Sequence, residues 1–164
     1  MRDVKPTFRR SVLEQALFRL IVATALAATP ALASGACVVT ATSINFGSYP
    51  EISESVIVSV GSVSYTCIGP VPTGIKIVMG AGRSGSIAER AMIAGDARLP
   101  YILSLDQYGR APWGDGSHGT QVYYNAHPPR NQTVTVPVFG FIPAGRRAPA
   151  GQIFRDSVAV VAFY

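Results

Sequence analysis

Two histidines, His118 and His127, flank a short segment at Gln121-Val122-Tyr123-Tyr124, with Asp106, Asp115 and Asn131 in the polar stretches around it. A zinc centre needs three or four converging ligands, usually carried in short-spaced pairs, and this spacing supplies none. The histidines read as surface loop residues. Gly82-Arg83-Ser84-Gly85-Ser86 sets a serine among glycines, but it forms no Gly-x-Ser-x-Gly elbow and opens no helix, so it reads as a flexible turn. Asp96, Asp106, Asp115 and Asp156 include no pair whose spacing argues for shared acid-base work. The expectation is therefore no catalytic residue, no metal and no cofactor.

Covalent chemistry is carried instead by the two cysteines, Cys37 and Cys67. In an exported chain an even pair reads as a disulfide, and two buried free thiols are the alternative. Closing that loop would restrict the unfolded chain enough to stabilise the fold by roughly 3 to 4 kcal/mol in the loop-entropy account. The residues best suited to contact another molecule lie between Gln107 and Gly119: Tyr108, Arg110 and Trp113. Aromatic side chains and arginine dominate binding hot spots. The competing reading has Trp113 covering one end of the fold. Arg146-Arg147 reads as a solvated turn.

The argument for export rests on the N-terminus. Arg9 and Arg10 precede the apolar run Leu20-Ile21-Val22-Ala23-Thr24-Ala25-Leu26-Ala27-Ala28, and Ala31-Leu32-Ala33 supplies small residues for cleavage after Pro30. Residues 1–33 read as a secretory signal, with the mature chain starting near Ser34 or a few residues earlier. The apolar run is short of the ~20 residues a membrane-spanning helix needs, and Arg19 sits at its edge, so no transmembrane segment is expected in the mature form. The sequence pI of 9.6 loses most of its meaning on cleavage, because the signal holds five basic and two acidic side chains. The remaining net charge of +2, nine basic against seven acidic residues, argues for no nucleic-acid partner.

From Cys37 onward, period-two apolar alternation recurs between clusters of Gly, Pro, Ser and Asn, with no sustained helical period. Strands are expected from Cys37 toward Phe46, from Ser55 to Cys67 with a bulge or bend at Gly61, and from Ile75 to Met79. A weaker one covers Ala91 to Ala94. Leu99 to Leu105 reads as one strand with Pro100 at its start or on an edge, and Gln121 to Tyr124 as a short one. Thr133 to Ile142 and Ser157 to Tyr164 complete the set. About seven strands with turns between them suit one all-β sandwich domain over residues 34–164. The last strand, apolar and free of charge and proline, predicts an open edge.

These residues taken in order resemble a known family, the spore coat protein U domain, which includes subunits of archaic, Csu-type chaperone-usher pili. The resemblance is carried by Cys37, Ile44-Asn45-Phe46-Gly47-Ser48-Tyr49, Val63-Ser64-Tyr65-Thr66-Cys67, Arg90-Ala91-Met92 and Leu99-Pro100-Tyr101-Ile102-Leu103. Trp113-Gly114, Val138 to Gly145 and Ala150 to Asp156 extend it along the whole mature chain. It implies an immunoglobulin-like β-sandwich lacking its final strand, held by a periplasmic pilus chaperone, delivered through an outer-membrane usher, and completed by a strand from a neighbouring subunit. It also implies that the chaperone, or the donated strand, meets the edge carrying Val158, Val160, Ala162 and Tyr164, which alternation places on one face.

A subunit that donates a strand needs roughly ten residues ahead of the first cysteine. Cleavage at Ala33 leaves Ser34-Gly35-Ala36, so the expectation is a subunit that accepts a strand and gives none, at a fibre end or as an accessory in adhesion and biofilm formation; a cut near Ala25 would leave a possible donor, interrupted by Pro30. The competing function is a free-standing secreted coat or carbohydrate-binding sandwich that relies on loop aromatics such as Trp113.

Overall fold

The computed structural model describes residues 35–69, 71 and 74–164. The signal assigned to residues 1–33 lies outside them. Among the described residues nine strands form: β1 (Ala36–Ala41), β2 (Ile57–Ile68), β3 (Ile75–Met79), β4 (Ala91–Ala94), β5 (Ala97–Pro100), β6 (Ile102–Ser104), β7 (Tyr123–Asn125), β8 (Thr133–Ile142) and β9 (Val160–Phe163). Among the described residues the helical content is one 3-10 turn at Gly82–Ser84. The fold is all-β: a four-stranded sheet in the order β1-β2-β8-β6 faces a three-stranded sheet in the order β7-β3-β9, and β4-β5 forms a separate hairpin.

The register follows the pleat. Val63 pairs with Val136, Tyr65 with Val134 and Gly61 with Val138, so the odd residues of β2 and the even residues of β8 share one face. That face meets Ile75, Ile77 and Met79 of β3 in the core. The opposite face of the same two strands is polar at one end, where Ser64 bonds Thr135 at 2.8 Å and Thr66 bonds Thr133 at 2.8 Å.

Three expectations are corrected. Gly61 makes no bulge, since its register with Val138 is regular; it is needed because a Cβ there would lie 2.7 Å from Ile44 Cγ1. The run Leu99 to Leu105 is two strands, because Tyr101 turns its N–H to the Arg90 carbonyl (3.0 Å) and the chain passes from the β4-β5 hairpin into the large sheet. Pro100 accordingly ends β5, which pairs only with β4 and so tolerates a residue that cannot donate. The terminal strand is also shorter than expected. Pairing with β3 begins at the Gly80 N–H to Ala159 carbonyl bond (2.9 Å), and residues 153–158 belong to no strand, Arg155 alone bridging to Ile93 of β4.

Candidate functional site: an open seam between the sheets

The two sheets are joined along one side and parted along the other. On the joined side Trp113 donates its backbone N–H to Leu103 of β6 (2.8 Å), while the next residue, Gly114, accepts from Met79 of β3 (3.0 Å) and donates to Gln121 (2.8 Å). One short segment thus passes hydrogen bonds from the large sheet to the small one. On the other side β1 pairs only with β2 and β9 only with β3, and no described strand pairs with their remaining edges.

A groove of about 700 Å³ opens on that parted side. Its lips are residues 41–46, which continue β1, and residues 153–158, which lead into β9; its floor is core, with Val63, Met79, Leu103 and Val138. The first lip sits close against the large sheet because both facing positions are glycine. A Cβ on Gly140 would lie 2.8 Å from Phe46 Cζ and 3.0 Å from Ile44 Cγ2, inside carbon contact distance. Ser59 fastens it further, its hydroxyl donating to the Asn45 carbonyl at 2.6 Å.

The second lip is held by polar groups. Ile93 and Arg155 exchange backbone hydrogen bonds of 2.9 and 3.2 Å, tying the lip to β4. Asp156 accepts from the Arg83 N–H (2.7 Å), the Ser157 N–H (2.7 Å) and the Tyr101 hydroxyl (2.7 Å). Burial, with help from Asp156, pushes the Tyr101 phenol well above the ordinary tyrosine range, so it stays a donor. Arg90 is buried behind them, its Nε donating to the Gly80 carbonyl (2.8 Å) and its Nη2 to the Met79 carbonyl (3.1 Å) at the end of β3. Burial lowers its pKa, and the oxygens of Tyr101, Asp156 and Asp115 pull it back up.

The residues singled out in the sequence fall in different places. Cys37 and Cys67 are directly opposite on β1 and β2 and form the disulfide, with Cα atoms 4.0 Å apart. The bond holds the edge strand β1 to its sheet at one end of the seam. Val158, Val160 and Ala162 face inward and pack on the core, while Val161 and Phe163 face out; Tyr164 departs from this alternation, being half exposed. Lys76 Nζ covers the outward Phe163 ring at 4.8 Å. Tyr108 and Arg110 are exposed and stacked, the guanidinium carbon 4.6 Å from the ring centroid.

Trp113 is a correction: it is 0% exposed and its indole N–H donates to the Ile77 carbonyl at 3.0 Å, so it cannot act as a surface contact. A large apolar ring with one donor is most stable where both needs are met inside. His118 and His127 are exposed, and the described residues contain no cluster of three or more His, Cys, Asp or Glu able to hold a metal. Arg90, Tyr101 and Asp156 were not singled out as a set. Their signal in the sequence is charge beside apolar strand residues, but nothing local relates positions 90, 101 and 156.

The model of the Spore Coat Protein U domain matches residues 22–161. The chain belongs to the Spore Coat Protein U domain family. A solved structure of similar fold is a chain from the chaperone-tip adhesion subunit pre-assembly complex of the archaic chaperone-usher Csu pili of Acinetobacter baumannii, at TM-score 0.54 and 19% identity. The match covers 80% of this Spore Coat Protein U domain chain and 40% of that chain, so the present protein spans less than half of its length. At this identity the likeness speaks for the fold, an immunoglobulin-like sandwich. No curated relative matches the chain.

Proposed function

We propose that this Spore Coat Protein U domain protein is a structural subunit of an archaic chaperone-usher fibre that accepts a β-strand from a partner. The observation that carries the reading is the seam between β1 and β9, where two unpaired edges flank a groove floored by core residues. An extended segment laid there gains main-chain hydrogen bonds along the edges and buries alternate side chains on the floor. Unpaired apolar edges also drive aggregation, so such a subunit needs a holder before assembly.

A periplasmic pilus chaperone would fill that role, gripping the edge that bears Val158, Val160, Ala162 and Tyr164, before an outer-membrane usher and a neighbouring subunit take over. Export to the cell surface, adhesion and biofilm formation are the setting this role implies. Ser34 is the expected first residue of the exported form, read directly by N-terminal sequencing. A free-standing carbohydrate-binding sandwich is the weaker reading, because its chief aromatic, Trp113, is buried.

The test is co-expression with a periplasmic chaperone of the archaic chaperone-usher class. Alone, the chain is expected to aggregate or be degraded in the periplasm; with the chaperone, a soluble one-to-one complex is expected. A lone monomer that is soluble, unfolds cooperatively and gains nothing from chaperone or strand peptide would overturn the proposal.

A further inference from the structure

The two lips of the seam come from distant parts of the chain, residues 41–46 and 153–158, and no described hydrogen bond joins one directly to the other. Among the hydrogen bonds and ring contacts of the described residues, one side chain reaches both. Tyr101 donates its hydroxyl to Asp156 on the second lip at 2.7 Å, and its ring meets Phe46 of the first lip edge-on, with centroids 6.3 Å apart and planes at 61°. Tyr101 itself is almost fully buried and anchored through its backbone N–H to Arg90, whose guanidinium grips the end of β3.

The second lip is fixed only in part by packing: Phe154 and Val158 rest on the core, while Gln152, Ile153, Arg155 and Ser157 are exposed, Ile153 at 70%. The rest of its hold comes from the Ile93 pairing and the bonds to Asp156. A strand entering the seam meets both lips at once, and a mobile lip must be ordered at the expense of binding free energy.

We infer that Tyr101 is a positioning residue for strand acceptance, a strut whose hydroxyl on Asp156 and ring against Phe46 set the spacing of the two lips. The inference rests on the strand-accepting reading and assigns the residue that tunes it. The incoming strand need not touch the Tyr101 hydroxyl for that hydroxyl to matter. Its work is to keep the second lip where a strand can use it.

The probe is a peptide of alternating valine and threonine, about twelve residues with lysines at its ends, labelled for anisotropy and titrated into the full exported chain freshly released from its chaperone complex at submicromolar concentration, where it stays dispersed. Tyr101→Phe and Asp156→Ala are expected to weaken binding about tenfold, through faster dissociation, because each removes a hydrogen bond to a charged acceptor. Hydrogen exchange should rise at residues 153–158 and stay unchanged in β2 and β8. Asp156→Asn, which keeps a partner for the hydroxyl, should restore most of the affinity.

Val136→Ala, buried on β8 away from the lips, supplies a control of comparable urea midpoint and should bind like wild type. If the wild-type chain does not bind the peptide, the strand-accepting reading itself falls. If wild type binds and Tyr101→Phe and Asp156→Ala bind equally well, or if Val136→Ala weakens binding as much as they do, the strut is overturned while that reading stands.

Discussion

Gly140→Ala tests how the first lip is seated. The added Cβ would lie 2.8 Å from Phe46 Cζ, 3.0 Å from Ile44 Cγ2 and 3.1 Å from Phe46 Cε1. Carbon pairs prefer about 3.5 to 4.0 Å, so the neighbours must retreat by roughly half an ångström to one ångström. Overpacking of this size costs about 2 kcal/mol. Replacing glycine by alanine also restricts the unfolded chain and returns about 0.4 to 1 kcal/mol, for a net loss of about 1 to 1.5 kcal/mol.

Phe46→Ala alone removes a half-buried ring and should cost about 2 kcal/mol, around half the value for a fully buried one. In the double variant most of the clash is gone, so the pair should couple by at least about 1 kcal/mol. The assay is urea unfolding at submicromolar protein, followed by the fluorescence of the single tryptophan, Trp113, which is buried and will report its exposure to water. With an m-value of about 2 kcal/mol/M, each 1 kcal/mol moves the midpoint by about 0.5 M. Additive effects, within about 0.5 kcal/mol, would refute the packing of Phe46 over Gly140.

Other expectations follow from the same geometry. Replacing both cysteines by serine should lower stability by about 3 to 4 kcal/mol, seen as a lower urea midpoint that matches the reduced wild-type chain. Trp113→Ala should cost about 3 to 5 kcal/mol and abolish the soluble chaperone complex, whereas Trp113→Phe should keep the complex while losing the bond to Ile77 and part of the ring's packing. Burial and the hydrogen bond with Tyr65 push the Tyr123 phenol up to about 12. The unfolded chain releases that proton near pH 10, so the stability Tyr123 supplies is intact below pH 10 and lost as pH rises toward 12. Tyr123→Phe should flatten this alkaline loss in pH-dependent urea midpoints.

Much of the fold was legible because strand alternation is local. Val63, Tyr65 and Cys67 of β2 and Val134, Val136 and Val138 of β8 are apolar in the chain and inward in the structure, and β3 and the body of β8 form where the β-branched runs stand, with β4 at the weaker segment. The cysteine pair was legible from its parity in a chain that reads as exported. Boundaries were less so: Leu99 to Leu105 keeps one apolar pattern through Tyr101, and only the hydrogen bond to Arg90 shows where one strand stops.

The sequence by itself determined the class, the disulfide and the alternation of the last strand, since each depends on residue type and spacing within a few positions. The tertiary structure decided which edges stay open, because an edge is defined by what does not pair with it, and that depends on where Pro112 to Gln121 closes the other side. It decided that Trp113 is an anchor of the core rather than a hand held out to a partner. It also brought Tyr101, Asp156 and Phe46 together. Contacts across 55 residues carry no period for a sequence to display.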